Sequence, residues 1–404
     1  MAHAQREIFV TDFALRMWNW RNAVRFDWVL LLLVAMLAGV GLVNIYSASR
    51  SGDPSIFYNH LAGVCLGFGL LFGLACLDYR VLVSLSPFMY IGGVMLLAVV
   101  LWFGHEVKGS ERWLQVGFIR IQPSEPTKFA VVCFLAWYLS RLGGHLRKAF
   151  VFFPSWVFAA LPAVLILKQP NLGTAASLFP ITAAMMWAAG ARKRHFMVLG
   201  FLLLAAIPVL WWEMRTFDPN APTSPKLEED SGKKSRGFLK DYQKRRIYTF
   251  FHPEYDIRGA GWHVYQSKIA VGSGGPWGKG WLQSTQTRLN YLPEHHTDFI
   301  FSLLAEEWGF AGVSAVLGLF LLFLLRGLYV AQSSVDVEGR LLCVGIVSMF
   351  AFHILINIAI TVGAAPVTGL PLPFLSYGRS FYLTNMACIG VMMSVAVRSR
   401  TYVP

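Results

Sequence analysis

The stretch WVLLLLVAMLAGVGLVNIYS (28–47) is 20 residues long and carries no charged side chain. A helix of about 20 apolar residues crosses the hydrocarbon core of a bilayer, which is about 30 Å thick. The stretch therefore predicts a transmembrane helix. The many similar runs that follow it favour this interpretation over a cleaved signal peptide.

Comparable apolar runs recur along the whole chain, at 57–77, 84–103, 127–142, 150–168, 173–190, 196–213, 299–325, 341–362 and 380–397. Hydrophobic residues make up 55% of the 404 residues and charged residues only 14%. This balance is typical of integral membrane proteins and excludes an ordinary water-soluble domain. Because helices satisfy their own backbone hydrogen bonds in lipid, we predict an all-α fold, a transmembrane bundle of about ten helices.

The positive charges indicate how this bundle is oriented. The net charge is +13, and many of the cations fall in the short connections that alternate helices place on one face: Arg80, Arg141, Arg147, Lys148, Arg192, Lys193, Arg194, Arg326, Arg340, Arg398 and Arg400. Short cytoplasmic loops are enriched in Lys and Arg. We therefore expect both termini in the cytoplasm, and we attribute the charge to topology rather than to a nucleic-acid partner.

One connection is much longer than the others. We treat 1–404 as a single integral membrane domain with a cytoplasmic N-terminus (1–27), a cytoplasmic tail (398–404) and a large extracytoplasmic loop (214–298) between helices seven and eight. Within the loop, 218–237 is rich in Pro, Ser, Lys and Glu, so we expect a flexible polar insert. Loops held by a rigid scaffold often carry function, which we expect on this face.

Charged residues cluster in KGSERWLQVGFIRIQPSEPTKFA (108–130), just before an apolar run. The Pro-Ser-Glu-Pro segment predicts a helix start capped by Ser124. Glu125 and Lys128 would then lie three residues apart on one helix face. A salt bridge that stabilises both charges and a role in a binding site remain open alternatives.

Three Pro- or Gly-rich stretches interrupt the apolar pattern. KQPNLGT (168–174) predicts a tight turn, and GLPLPFLSYGRS (369–380) predicts irregular backbone that lines a cavity or is buried in protein. AVGSGGPWGKG (270–280) does not match a nucleotide-binding loop, because Lys279 is followed by Gly280. We predict a sharp re-entrant turn there.

The stretch LPEHHTDFIF (292–301) places Asp298 at the outer lip of the apolar run 299–325. A zinc site is disfavoured, because the adjacent His295 and His296 point apart and no third soft ligand is evident. Thr297 or Asp298 is expected to cap the following helix. Capping does not exclude a catalytic role for the carboxylate.

These stretches, together with IYSAS (45–49), DYQKRRI (241–247), GWHVYQSKIAVGSGG (261–275) and GKGWLQSTQTRLNYLPEHHTDFIFSLLAEEWG (278–309), resemble in order the signature motifs of the SEDS family (shape, elongation, division and sporulation). The resemblance is stronger to its rod-shape-determining members than to its division members. It implies a peptidoglycan glycosyltransferase of the bacterial inner membrane, which polymerises lipid II for cell-wall elongation and rod shape.

The resemblance also implies roles for single residues. The family's essential aspartate corresponds to Asp298, and its cavity residues correspond to Arg112, Glu125 and Lys128. A carboxylate at Asp298 would act as general base on the acceptor hydroxyl. Arg112, Lys128 or a bound Mg²⁺ or Mn²⁺ would stabilise the departing diphosphate, with no organic cofactor. The implied partners are a class B penicillin-binding protein (a transpeptidase), other elongation-complex proteins such as MreC and MreD, lipid II and the membrane.

Two positions depart from the family pattern. Asn171 replaces the aspartate of QPDLGT, and Arg379 replaces a glycine of SYGGS beside Ser376. We include Asn171, Ser376 and Arg379 among the candidate substrate-binding residues. Two alternative functions remain open: a lipid II flippase or transporter, since intramembrane polar groups also mark transport paths, and a weakly catalytic scaffold of the elongation complex.

Overall fold

The computed structural model describes residues 26–50, 53–103, 105–107, 110–116, 119–215, 217, 241–252, 260–289, 291 and 296–399. Side chains are not described at 103–121, 209–210, 241–242, 260 and 287. The polar insert predicted at 218–237 lies outside the described residues, as do most of 1–27 and the end of the tail.

The fold is a bundle of long apolar helices, which confirms the predicted fold class. Among the described residues, nine helical stretches are long and apolar enough to cross a membrane, and a shorter apolar helix completes a set of ten. The helices are, in chain order, α1 (Trp28–Arg50), α2 (Ser55–Cys76), α3 (Tyr79–Phe103), α4 (Ser124–Leu142), α5 (Ala149–Ser155), α6 (Val157–Lys168), α7 (Leu172–Ala188), α8 (Lys193–Arg215), α9 (Asp241–Phe251), α10 (Ala260–Ser273), α11 (Thr285–Arg288), α12 (Ile300–Gln332), α13 (Val337–Thr361) and α14 (Arg379–Ser399).

A small sheet, absent from the all-helical prediction, adds to the bundle between α3 and α4. The strands β1 (His105–Val107), β2 (Ser110–Val116) and β3 (Ile119–Ile121) pair antiparallel in the order β1-β2-β3. Just after β3, the backbone N–H of Gln122 donates to Ser380 Oγ (3.3 Å). This bond ties the end of the sheet to the start of α14.

The core of the bundle is formed by α13 and α14, while α8 lies at its periphery. Helix α14 packs along α2 and against α13, and α13 also packs on α4, α7 and α12. On α8, by contrast, large apolar side chains such as Phe201, Leu203 and Trp212 are exposed. In a membrane, such a surface faces lipid rather than water.

Ion pairs join segments at one end of the bundle. We call the end that carries Asp298 the Asp298 end, and the end with these ion pairs the opposite end. Four arginines at the opposite end each form an ion pair with an acidic residue: Arg326 with Asp27 (2.7 Å), Arg398 with Asp78 (3.3 Å), Arg80 with Asp336 (3.0 Å) and Arg141 with Glu338 (3.0 Å). Each pair joins different helices, so the cations of the predicted cytoplasmic loops also fasten the bundle.

Helix α12 is broken at Gly309, which corrects the prediction of one continuous apolar run at 299–325. Gly309 has φ 63° and ψ −165°, values that are not helical. The break divides α12 into a short segment (300–308) and a long segment (310–332). At about 1.5 Å per residue, the long segment alone is sufficient to cross a bilayer. Asp298 therefore precedes the short segment, and not the transmembrane helix itself.

The short segment places Asp298 inside the bundle rather than at its lip. The backbone carbonyl of Asp298 bonds to Asn357, one turn before the end of α13. One turn further along the short segment, Ser302 contacts Ser267, whose hydroxyl donates to the carbonyl of Thr361 at the end of α13. The segment thus runs outward from Asp298 toward the end of the bundle, and the chain turns back at Gly309.

The glycine-rich stretch 270–280 supports this break and forms a sharp turn, as predicted. The N–H groups of Lys279 and Gly280 donate to the carbonyls of Glu306 and Glu307 (2.9 and 3.0 Å). In return, the N–H groups of Phe310 and Ala311 donate to the carbonyls of Gly275 and Pro276, so the backbone groups freed by the break are paired. Gly278 also has positive φ, at 81°.

Two predicted helix caps are wrong. Helix α4 begins at Ser124 itself, with Pro123 at the cap position and no capping side chain there. Helix α12 begins at Ile300, so its cap position is Phe299 rather than Thr297 or Asp298. The prolines on either side of Ser124 account for the first difference, because Pro123 already has helical φ and ψ (−60° and −27°).

We expect Gly309→Ala to destabilise the protein by about 2 kcal/mol or more, because positive φ is costly for alanine and its Cβ would overlap the backbone nitrogen of Gly278. Gly318→Ala in the same helix is the matched control, since an added Cβ meets nothing within 4 Å there. Thermal unfolding in detergent would measure both variants. Equal midpoints would contradict a structural role for the break.

Candidate active site at the Asp298 end

The main chain at Asp298 is held by a single buried asparagine on α13. Asn357 is fully buried, and its Nδ2 group donates to the carbonyl of Asp298 (2.9 Å) and to the carbonyl of Leu370 (2.8 Å). The asparagine therefore joins the aspartate to the irregular stretch that follows α13. The side chain of Asp298 is half-buried.

That irregular stretch, 369–377, also holds the residues just before Asp298. Ser376 Oγ donates to the carbonyl of Thr297 (2.6 Å) and accepts from the N–H of Leu372 (2.8 Å). The N–H of Tyr377 donates to the carbonyl of His296 (2.9 Å). This stretch is buried irregular backbone, as predicted, and it fixes the position of the aspartate through main-chain bonds.

Gly369 lies beside the carboxylate of Asp298. It has φ 73°, a conformation that favours glycine, and a Cβ built there would lie 3.7 Å from Asp298 Oδ2. The backbone of this stretch can therefore approach the carboxylate closely. A bulkier residue at this position would narrow the space around the acid.

Glu125 and Lys128 form the salt bridge that their spacing predicts. Lys128 Nζ lies 3.0 Å from Glu125 Oε2, and the two side chains are only 1% and 4% exposed. Lys128 Nζ also lies 3.3 Å from His353 Nε2 on α13. An ammonium group can only donate, so a charged Lys128 makes His353 Nε2 the acceptor of this contact.

His353 connects the charged pair to Asp298 through one helix. His353 and Asn357 are four residues apart on α13 and so share a face. The His353 ring stacks on Phe381 of α14 (centroids 5.5 Å apart), and Lys128 lies over the same ring. The structure therefore brings the Glu125–Lys128 pair and the Asp298 backbone to neighbouring turns of one helix face.

Several buried polar atoms on the helices around this face have no hydrogen-bond partner among the described residues. They are His353 Nδ1, His60 Nε2, the hydroxyl of Tyr382 and both amide atoms of Asn385. His60 and Tyr382 lie together, with ring centroids 5.4 Å apart. Buried polar groups are nearly always paired with protein, water or ligand. The interior beside α14 is therefore suited to polar molecules.

The other predicted site residues occupy different positions. Asn171 is buried at the cap of α7, where its side chain accepts from the N–H of Thr174 (3.3 Å). Arg379 is exposed at the start of α14, lies beside Gly63 of α2 and has no ion-pair partner among the described residues. Arg112 lies on β2, and its side chain is outside the described part of the structure.

Sequence patterns did not single out His353 or Asn357. Both lie in the apolar run 341–362, and both are fully buried. The available signal was their polarity, because polar residues inside a transmembrane helix are rare and often functional. Their four-residue spacing would also have placed them on one face.

A metal site was tested on the same residues. In the part of the chain that the structure describes, no three His, Cys, Asp or Glu side chains lie close enough together to hold a metal ion. The described side chains therefore do not fit a resident metal centre, and no step below depends on one.

We expect Glu125→Leu and Lys128→Met each to destabilise the fold by about 3 kcal/mol, since each leaves a buried charge without its partner. The double variant should be more stable than either single variant, because it removes both charges. Denaturation of all three proteins in detergent would measure this. Additive losses in the double variant would show that the two charges are not coupled.

Comparisons with known proteins identify the relatives of this chain. The model of the FtsW/RodA/SpoVE family of cell cycle proteins matches residues 27–401. Peptidoglycan glycosyltransferase MrdB of Escherichia coli (strain K12) is 35% identical over 369 residues, which cover 91% of this chain and 92% of that protein. Peptidoglycan glycosyltransferase RodA of Treponema pallidum (strain Nichols) is 33% identical, with 94% of this chain and 99% of that protein covered.

A solved structure gives the same result at the level of the fold. A chain from the study "Structural coordination of polymerization and crosslinking by a peptidoglycan synthase complex" superposes with a TM-score of 0.76 and 30% identity, covering 93% of this chain and 98% of that one. The family match covers nearly the whole helical bundle. The chain is therefore a multi-pass membrane protein that belongs to the FtsW/RodA/SpoVE family, the SEDS family whose motifs its sequence carries.

Proposed function

We propose that this chain is a peptidoglycan glycosyltransferase that polymerises lipid II during cell elongation, with Asp298 as its general base. One observation carries the assignment of the base: Asn357 and the 369–377 stretch hold the main chain around Asp298 on both sides, while its carboxylate remains half-buried. A base must be fixed within hydrogen-bond reach of the proton that it accepts. Relatives named peptidoglycan glycosyltransferases support the enzyme class.

The reaction joins two lipid-linked disaccharides. The acceptor 4-hydroxyl attacks the anomeric carbon of the donor, its proton passes to Asp298, and the bond from that carbon to the lipid diphosphate breaks. A single displacement inverts the α-linked donor to a β-linked product, as in inverting glycosidases. The diphosphate already leaves easily, so the reaction needs a base and cations but no strong acid.

Cations near the base would stabilise the diphosphate as it departs. Lys128 is buried beside His353, whose Nδ1 has no hydrogen-bond partner among the described residues, and Arg379 at the start of α14 has no ion-pair partner among them. Charge-assisted hydrogen bonds from such groups are strong where water is excluded. Arg112 is proposed for the same role on the strength of the family resemblance.

A divalent cation, Mg²⁺ or Mn²⁺, would bind together with the substrate rather than to the protein alone. Because the described residues do not form a metal cluster, the diphosphate oxygens would supply most of its ligands. When bound there, such an ion would neutralise charge on the leaving group.

We place the Asp298 end on the outer side of the bacterial cytoplasmic membrane, with both termini in the cytoplasm. The four ion pairs at the opposite end involve cations of the short loops that the positive-inside rule assigns to the cytoplasm. In this orientation the lipid tail of the substrate stays in the bilayer while its disaccharide reaches Asp298.

We propose a class B penicillin-binding protein as the partner that cross-links the product, within a complex that includes proteins such as MreC and MreD. The superposed chain comes from a peptidoglycan synthase complex in which polymerisation and crosslinking are coordinated. A flippase would need a path open to both faces in turn. The ion pairs across the opposite end give no support to this alternative.

We expect Asp298→Asn to lower the polymerisation of lipid II by about 100-fold or more, because a general base contributes at least this much to rate. The variant is assayed as full-length protein with its penicillin-binding partner, whose transpeptidase is inactivated, and glycan length is measured. Asp53→Asn is the control, since Asp53 is an exposed acid at the same end whose carboxylate, among the described residues, bonds to Ser55 alone. Full activity of Asp298→Asn would move the base elsewhere.

The two departures from the family pattern distinguish a weakened enzyme from a scaffold. We expect Asn171→Asp alone to change the polymerisation rate by no more than about tenfold, because Asn171 already caps α7 through an oxygen that aspartate also supplies. Adding Arg379→Gly should lower the rate further, because it removes a cation proposed to stabilise the diphosphate. Glycan synthesis by the parent, the single variant and the double variant would be compared. Absence of polymer from all three proteins would favour the scaffold.

A further inference from the structure

A second cavity opens at the Asp298 end and shares no residue with the arrangement around Asp298. Its volume is about 410 Å³. Its lining comes from the end of α1, from α11 and the loop before it, and from the short segment of α12, and it includes Ser47, Arg50, Gln283, Ser284, Arg288 and Glu307. Cavities of roughly 300–1,000 Å³ bind organic ligands, so this one exceeds the needs of a single small ion.

Two unpaired cations line this cavity. Arg50 is the last residue of α1 and Arg288 the last of α11, and both are exposed. Neither forms a side-chain hydrogen bond or ion pair with any described residue, whereas Arg326 and Arg398 at the opposite end are both paired. A guanidinium group matches the geometry of phosphate and carboxylate. The two arginines therefore fit an oxyanion.

The floor of the cavity is a buried carboxylate, to which the backbone N–H groups of Leu282 and Ser284 also donate. The carboxylate of Glu307 is 2% exposed, and its Oε1 accepts a hydrogen bond from Ser47 Oγ. Its Oε2 is buried without a hydrogen-bond partner among the described residues. A bare anion would be repelled by this carboxylate, while a ligand with hydroxyl or amide N–H groups would satisfy it. The complete ligand must carry both kinds of group.

An aromatic pair lies next in sequence to two residues of the cavity lining. Trp281 is 49% exposed and stacks on Tyr46, with ring centroids 5.9 Å apart and planes inclined by 30°. These residues directly precede Leu282 and Ser47, which line the cavity. Exposed indole and phenol rings offer a flat apolar surface with a polar edge. Such a surface suits the apolar face of a sugar ring.

We propose that this cavity is a saccharide subsite for a sugar that carries an oxyanion. Arg50 and Arg288 bind the oxyanion, Glu307 accepts from a sugar hydroxyl or amide N–H, and Trp281 packs on the ring. The inference rests on the proposed function and deepens it, because a polymerase must hold one saccharide while another reacts at Asp298. The oxyanion has two possible sources: the diphosphate of the lipid-linked precursor, or a peptide carboxylate of the polymerised strand.

The distance between the two sites is compatible with one bound chain. Glu307 lies nine residues after Asp298, and the helical part between them, 300–307, rises about 10 Å. The buried Glu306 fixes the loop that lines the cavity, since it accepts from Lys279 Nζ (2.6 Å) and from Ser284 Oγ (2.5 Å). The subsite is therefore built on the same rigid segment as the proposed base.

Direct binding tests the subsite without turnover. Full-length Asp298→Asn protein in nanodiscs is titrated with two probes: lipid II, and a lipid-free tetrasaccharide that carries its stem peptides. Adding Arg50→Gln or Arg288→Gln should weaken binding of lipid II about tenfold, the cost of one charge-assisted hydrogen bond. Loss for lipid II alone assigns the diphosphate, and loss for both probes assigns the peptide carboxylate that they share. Unchanged binding of both probes by both variants would overturn the proposal.

Controls separate local binding from folding. Arg215→Gln removes a cation from the end of α8, where Arg215 lies over Trp211, and should bind both probes as the parent does. Arg288→Lys retains the charge and should recover part of the affinity lost in Arg288→Gln. Thermal midpoints should stay equal across the set. If Arg215→Gln weakened probe binding as much as Arg50→Gln or Arg288→Gln does, that result would count against a specific subsite.

The proposed function and the subsite can fail independently. If the wild-type protein makes no polymer but the arginine variants still lose affinity for a probe, the subsite stands and the assigned activity fails. If polymer forms and both variants bind both probes normally, the activity stands and the subsite fails.

Discussion

The break in α12 at Gly309 is the constraint on which the rest of the Asp298 end depends. A broken helix exposes backbone groups that are costly to leave unpaired in a membrane protein. Here the glycine-rich turn pairs them, through bonds from Lys279 and Gly280 to the short segment and from Phe310 and Ala311 back to the turn. The chain can therefore reverse near the end of the bundle and carry Asp298 inward, instead of starting a transmembrane helix with it.

Main-chain bonds hold the aspartate in position. Asn357 and Ser376 use their side chains to bind the carbonyls of Asp298 and Thr297. This arrangement fixes the depth and direction of the residue in the bundle. Ser376, which the motif suggests as a substrate ligand, has its hydroxyl engaged with two backbone groups.

Charge is distributed unequally between the two ends of the bundle. At the opposite end, ion pairs such as Asp27–Arg326 join separate helices. At the Asp298 end, Arg50, Arg288 and Arg379 lack ion-pair partners among the described residues. Cations without ion-pair partners contribute little to folding. Their clustering at one end has a physical reason if phosphate or carboxylate groups of a substrate form ion pairs with them.

The sequence by itself determined the membrane class, the ten apolar helices and the Glu125–Lys128 pair, because apolar length and residue spacing are local properties. The sequence also offered Asp298 as a candidate base, through its resemblance to a family. It did not reveal the sheet at 105–121, the break at Gly309, or the roles of His353 and Asn357. The predicted caps at Ser124 and at Thr297 or Asp298 were wrong by one or two positions. Only the tertiary structure decided these features, because each depends on which distant segment supplies the missing backbone partner or the facing side chain.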